Sequence, residues 1–283
     1  MNFFPKIAAL IFVLSIFTGS SAQEVTKEFI TTSMVEGERT IKLELFIAKP
    51  QGSGPFPVLI FNHGSTGRGD KPELFGQSWS SPAISKYFTD RGWMVIFPQR
   101  RGRGGSDGLY DEGFEPDRSR YSCLIDLSLS GVKRALEDLD AVTEHVRARP
   151  DVSPNRMLIG GQSRGGILAI AYAGHQPNIF LGVINFAGGW IAEACENATT
   201  INGIISRRGS NFKRPTLWLY GERDPFYSIS HSKKYYDSFI KSGGTGKFHS
   251  YIVPGLASGH TLISYPELWG GLLDSYLAEL KEQ

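Results

Sequence analysis

The sequence predicts an α/β fold, with a mostly parallel central sheet and helices on both of its faces. Three observations carry that expectation. Short apolar runs alternate with longer amphipathic stretches, the pattern of parallel strands joined by crossover helices. The runs lack polar alternation, as strands buried on both faces do. Turns rich in Gly and small polar residues stand at their carboxyl ends, and no internal repeat, low-complexity tract or linker interrupts the series.

The first element is of another kind. Lys6 precedes an apolar stretch over residues 7–17, and Ser20, Ser21 and Ala22 offer small side chains before Gln23. This is the pattern of a secretory signal peptide over residues 1–22, cut after Ala22, with an apolar run too short to cross a bilayer comfortably. A retained membrane anchor is the alternative. Cleavage leaves residues 23–283 as a single catalytic domain, periplasmic or secreted, with no stable membrane association. No cysteine adjoins the cut, which argues against a lipoprotein. The formal charge of the whole chain is only +2, and no clustered basic face points to a nucleic-acid partner.

Residues 25–34 and 41–48 read as an antiparallel hairpin bent near Gly37. A central strand follows over 58–61, then a helix within 81–90 and a second continuous apolar strand over 94–97. A long helical pattern spans 127–147 and is stopped by Pro150. Met157, Leu158 and Ile159 form the next strand, and residues 167–172 the helix after it. Strands over 182–186 and 215–220, a helix over 231–241, a strand over 248–253 and a final amphipathic helix over 266–280 complete the series. Two long segments, 99–122 and 188–214, break the rhythm. Both leave carboxyl ends of strands, where open parallel sheets bind ligands, so both are expected to overhang a cleft and select substrate.

Between the 157–159 strand and the 167–172 helix stands Gly161-Gln162-Ser163-Arg164-Gly165. A serine hydroxyl is a poor nucleophile until a sharp strand-to-helix turn lifts it into a cleft beside a base, and flanking glycines leave room for such a turn. An acid and a histidine follow in order. Asp224 lies in the turn leaving the 215–220 strand, and His260 in the flexible loop after the 248–253 strand. Each also suits a plainer role, as a turn residue and a surface residue, but both sit at strand ends that face the cleft. Glu222 is the competing acid. For an oxyanion hole, the turn Asn62-His63-Gly64-Ser65-Thr66-Gly67 supplies the Ser65 backbone amide, and the Arg164 amide follows the nucleophile. His63 reads as a structural histidine holding this loop.

The chain resembles α/β-hydrolases of the dienelactone hydrolase-like or prolyl-oligopeptidase-like group. The resemblance runs from His63-Gly64-Ser65 through Arg101-Gly102-Arg103-Gly104-Gly105-Ser106 and the Ser163 turn to Asp224 and His260. The nucleophile is Ser where dienelactone hydrolases proper carry Cys. The resemblance implies the α/β-hydrolase fold, whose triad order Ser, Asp, His matches this chain, and an acyl-enzyme mechanism with no cofactor. The expected substrate is a small-molecule carboxylic ester. A short peptide is the enzymatic alternative, and a binding protein on the same scaffold without turnover is the alternative from another class.

Arg101 and Arg103, with Arg100, are candidates to clamp an anionic group of the substrate. The competing reading pairs them with Asp107, Asp111, Glu112, Glu115 and Asp117 or leaves them in solvent, as mixed charge runs usually are. Trp190 and Phe226 are candidate walls of an acyl pocket. Cys123 and Cys195 are the only cysteines; export would permit a disulfide, and the sequence leaves their distance open. The histidines show no metal-ligand spacing, so no metal site is expected. Oligomeric state is likewise open.

Overall fold

The computed structural model describes residues 25–280. The expected signal peptide and the cut after Ala22 lie outside them. The leading hairpin pairs β1 (Val25–Glu36) with β2 (Arg39–Ala48), and Gly37 takes the left-handed conformation (φ 61°) that the bend requires. There follow β3 (Phe56–Asn62), the single-turn α1 (Pro72–Phe75), α2 (Pro82–Thr89), β4 (Met94–Pro98) and α3 (Ile125–Ala148). Then come β5 (Val152–Gln162), α4 (Arg164–His175), β6 (Gly182–Phe186), α5 (Ala198–Arg208), β7 (Thr216–Gly221), α6 (Ile229–Lys241), β8 (Gly246–Tyr251) and α7 (Pro266–Glu279). The eight strands form one sheet in the order β1-β2-β4-β3-β5-β6-β7-β8. From β4 to β8 every pairing is parallel; β1 and β2 run antiparallel at one edge.

Period-two alternation explains the continuous apolar runs. In β3, Val58 and Ile60 join the layer under α3, α4, α5 and α6, while Leu59 and Phe61 join the layer under α2 and α7. All four are fully buried, and each such side chain stabilises the fold by roughly 1.5–3 kcal/mol relative to exposure. The helices are bounded by ordinary local chemistry. Ser81 caps α2 by accepting from the Ile84 amide, with Pro82 at the first helical position, and Ser228 caps α6 through the His231 amide.

Two expectations about elements are corrected. The strand expected over 248–253 is Gly246–Tyr251, because β7 ends at Gly221, opposite Tyr251, and offers Ile252 and Val253 no partner. The segment 188–214 is not one irregular loop: it contains α5. Ala198, Ile201, Asn202 and Ile205 are buried along one helical face at the i, i+3, i+4, i+7 spacing. An Asn among so few apolar residues hid that stripe. Cys123 and Cys195, 72 residues apart, form a disulfide with their Cα atoms 5.6 Å apart, tying the segment after β4 to the segment after β6.

Candidate active site

Ser163 stands between β5 and α4 with φ 56° and ψ −124°, one of four non-glycine residues with positive φ among those described. A residue held there costs about 1–3 kcal/mol, so its neighbours must enforce it. The Ser163 amide donates to the Phe186 carbonyl (2.9 Å) across the neighbouring strand. The two flanking glycines are demanded by close approach. A Cβ on Gly161 would lie 2.4 Å from the Gly165 carbonyl carbon, and one on Gly165 would lie 2.2 Å from the Asn62 carbonyl oxygen. The start of α4 is thereby seated directly on the turn that leaves β3.

That turn passes over the serine: a Cβ on Gly64 would stand 3.1 Å from Ser163 Cβ. Ser65 lines the same cleft as Ser163. Arg164 is the first residue of α4, so its amide is one of those an α-helix leaves without an intrahelical acceptor, at the positive end of the helix dipole. His63 beneath the turn is fully buried. Burial pushes its pKa well below the ordinary histidine value, and the Arg100 and Arg103 charges push the same way. The neutral ring donates from Nδ1 to the Gly64 carbonyl (2.8 Å) and accepts the Arg100 amide at Nε2 (3.2 Å).

The acid and the histidine come from the segments that follow β7 and β8. Asp224 Oδ2 faces His260 Nδ1 at 2.8 Å, while Oδ1 accepts the amides of Phe226 (2.8 Å) and Tyr227 (3.2 Å). Glu222, the competing acid, is exposed to solvent. Gly221 and Gly259 let the two loops touch: a Cβ on Gly221 would be 2.2 Å from the Gly259 carbonyl oxygen. The Arg223 guanidinium donates to the carbonyls of Val253 (2.6 Å) and Gly255 (2.8 Å), fixing the His260 loop against the acid turn. Ser163 and His260 line one cleft of about 280 Å³.

Trp190 and Phe226 both line this cleft. Phe226 is half exposed and its ring lies 4.9 Å from the His260 ring. Trp190 is buried, with its amide accepted by Asn202 Oδ1 (2.8 Å), so the helix that the sequence concealed holds this wall. The placement of Arg101 and Arg103 in the substrate site is corrected. Arg101 is buried against α3, with Nε 2.5 Å from Asp138 Oδ1 and a second ion pair to Glu137. Arg103 is buried and donates to the Gln77 carbonyl (3.3 Å). Neither lines the cleft. Arg100 pairs with Glu112 (2.5 Å) and donates to the His63 carbonyl, so it braces the Ser65 turn from behind.

Several cleft residues had no counterpart in the sequence reading. Arg120 and Tyr121 come from the segment after β4, Ile191 and Ala192 from the segment after β6, and Tyr227 from the acid turn. The only signal for them was position, since all lie on loops leaving carboxyl ends of strands. The Arg164 side chain also belongs here. Its guanidinium lies over the Tyr121 ring (3.3 Å) and the Trp190 ring (4.5 Å), and donates to the Glu112 carbonyl (2.7 Å). It packs the two overhanging segments together as a cation between aromatic faces.

A buried serine at a strained strand-to-helix turn after β5, an Asp-His pair from the segments after β7 and β8 and a helix N-terminus beside the serine define an α/β-hydrolase. Residues 46–259 match the model of the dienelactone hydrolase family, and the chain belongs to that family. Among curated proteins, it is similar to the "Putative carboxymethylenebutenolidase" of Yersinia pestis, at 26% identity over 69% of this chain and 68% of that one. Two solved esterases share the fold. The ferulic acid complex of Est1E from Butyrivibrio proteoclasticus matches at 14% identity with a TM-score of 0.59, covering 86% of this chain and 97% of that one. Acetyl xylan esterase 1 from Thermoanaerobacterium matches at 17% identity with a TM-score of 0.56, covering 91% and 88%. The family membership makes this chain an ester-bond hydrolase of small molecules.

Proposed function

We propose that the protein hydrolyses a carboxylic ester through an acyl-enzyme on Ser163. The supporting observation is the 2.8 Å contact of Asp224 Oδ2 with His260 Nδ1, on a histidine that lines the Ser163 cleft. With Nδ1 committed to the carboxylate, Nε2 is the atom left to take the serine proton. Ser163 Oγ attacks the ester carbonyl, His260 accepts its proton, and the amides of Ser65 and Arg164 carry the oxyanion. The imidazolium, stabilised by Asp224, returns the proton to the leaving alkoxide. Water then repeats the sequence on the acyl-enzyme, releasing the carboxylic acid and restoring the serine.

The cleft, near the small end of the ~300–1,000 Å³ range of ligand pockets, suits a short acyl group or a small alcohol. A fluorophosphonate probe together with p-nitrophenyl acetate tests the reading. Wild type should label and turn over, and Ser163→Ala should do neither while remaining folded, since Ala removes only a hydroxyl. Undiminished turnover by Ser163→Ala would remove the serine from this role. Faster cleavage of aminoacyl anilides than of esters would favour a peptidase.

Export after removal of residues 1–22 belongs to the same reading. It is supported by Lys6, the apolar run 7–17 and the small residues at 20–22, and by a disulfide of the kind that persists in oxidising compartments. N-terminal sequencing should find Gln23 first; an intact Met1 on membrane-bound protein would favour an anchor.

A further inference from the structure

Tyr227, three residues after Asp224, is not used in the chemistry above, yet it contacts Asp224, His260 and, through a side-chain hydrogen bond of its hydroxyl, Ser163 itself. Its side chain is buried and its ring lies 5.8 Å from that of His260. Its backbone amide donates to Asp224 Oδ1 (3.2 Å). Its hydroxyl donates to the Gly189 carbonyl (2.7 Å), and the Gly189 amide donates in turn to the Ser163 carbonyl (3.2 Å). One side chain thus connects the acid turn to the nucleophile's own peptide through a single glycine. That glycine admits no substitute, because a Cβ there would lie 2.3 Å from a Tyr227 ring carbon.

The connection spans a gap that the sheet leaves open. Ser163 leaves β5 and Asp224 leaves β7, with β6 between them, so the two turns are not neighbours on the sheet edge. Gly189 lies in the turn after β6 and fills the gap. Other contacts dock the acid turn on this segment: the Glu193 amide donates to the Phe226 carbonyl (2.9 Å), and the Ser228 amide and hydroxyl donate to Glu193 Oε2 (3.0 and 2.6 Å). Those hold the loop in place, but they do not run to Ser163.

We propose that Tyr227 is a positioning residue, whose hydroxyl anchored on Gly189 sets the spacing between the Asp224-His260 pair and the Ser163 turn. The proposal rests on the serine-hydrolase reading. Burial raises the phenol pKa far above its ordinary value, so the hydroxyl stays a donor wherever the enzyme works. Misplacement of reacting groups by about 1 Å can cost on the order of a hundredfold in rate, so a brace of this kind acts on kcat and leaves substrate affinity alone.

Tyr227→Phe tests it, since the ring stays against His260 and the Glu193 contacts keep the loop docked. The expected result is a kcat for p-nitrophenyl acetate lowered about tenfold or more, a KM within about threefold of wild type, and fluorophosphonate labelling slowed by a similar factor. A lowered Tm with unchanged kcat below it would reduce Tyr227 to a structural residue and overturn the proposal. A raised KM at constant kcat, with the fluorophosphonate labelling rate unchanged, would make it a substrate contact and overturn it equally. Wild-type protein that resists labelling would sink the serine-hydrolase reading itself, and the brace with it; a labelled wild type with a normal Tyr227→Phe sinks only the brace.

Discussion

At the scale of single residues, the site depends on how each polar atom is committed. Asp224 gives one oxygen to two backbone amides and the other to His260, so its carboxylate cannot turn away from the imidazole. An amide in its place would present a donor to one of these groups and can favour the wrong imidazole tautomer. Asp224→Asn should therefore lower kcat on p-nitrophenyl acetate by on the order of a thousandfold or more with KM little changed. Glu222→Gln, at an exposed side chain, should stay within about twofold of wild type, in line with surface substitutions generally. The reverse pattern would move the acid to Glu222.

At the scale of elements, α4 is the critical piece, because Ser163 immediately precedes it and the Arg164 amide opens its first turn. Its seat on the β3 turn is closed by backbone, which cannot yield as a flexible side chain can. Gly165→Ala would force a carbon to 2.2 Å from the Asn62 carbonyl oxygen, so it should lower Tm sharply and depress esterase activity. Gly271 in α7 gives the opposite case: a Cβ there meets nothing within 4 Å. Gly271→Ala removes chain entropy from the unfolded state and should stabilise by about 0.5–1 kcal/mol, or about 1–4 °C in Tm. Thermal melts of the two variants compare them directly; equal shifts of the same sign would contradict this account of the α4 seat.

At the scale of the whole molecule, the buried histidine under the oxyanion turn makes stability depend on pH. His63 is held neutral in the folded state, while in the unfolded chain it takes up a proton near pH 6.5. The unfolded state then binds more protons, so stability is full above about pH 6.5 and is lost as pH falls toward the depressed folded pKa. The loss approaches about 1.4 kcal/mol per pH unit for one such group. His231, its pKa lowered by burial, adds in the same direction. Tm should thus fall steadily between about pH 7 and pH 5.5. Asp138, whose carboxyl pKa burial raises to about 6, opposes this slope in the lower part of the interval, so the Asp138→Asn variant should show the fall more steeply; a constant Tm in that variant would contradict a neutral His63.

Much of this molecule follows from short-range pattern. Strand and helix periods, the caps at Ser81 and Ser228, the glycines around Ser163 and the order Ser163, Asp224, His260 are properties of a few consecutive residues, and they were legible before any fold was known. The fold class and the placement of the candidate triad residues rest on them. The buried charges were not legible in the same way. Arg101 lies near several acids in sequence, yet it meets Asp138 and Glu137 on α3, because a guanidinium buried by the packing of α3 on the sheet face needs a charged partner there. Nor could α5 be separated from a loop by a stripe that includes Asn202, whose side chain is satisfied only by the Trp190, Ile191 and His231 groups that the fold brings to it. Tyr227, from the turn after β7, meets Gly189, from the turn after β6, 38 residues apart in the chain. Periodicity reports which face of an element is apolar, but which polar partners meet on that face is decided when the elements pack, since a buried hydrogen bond or ion pair forms only between groups that tertiary structure places within about 3 Å.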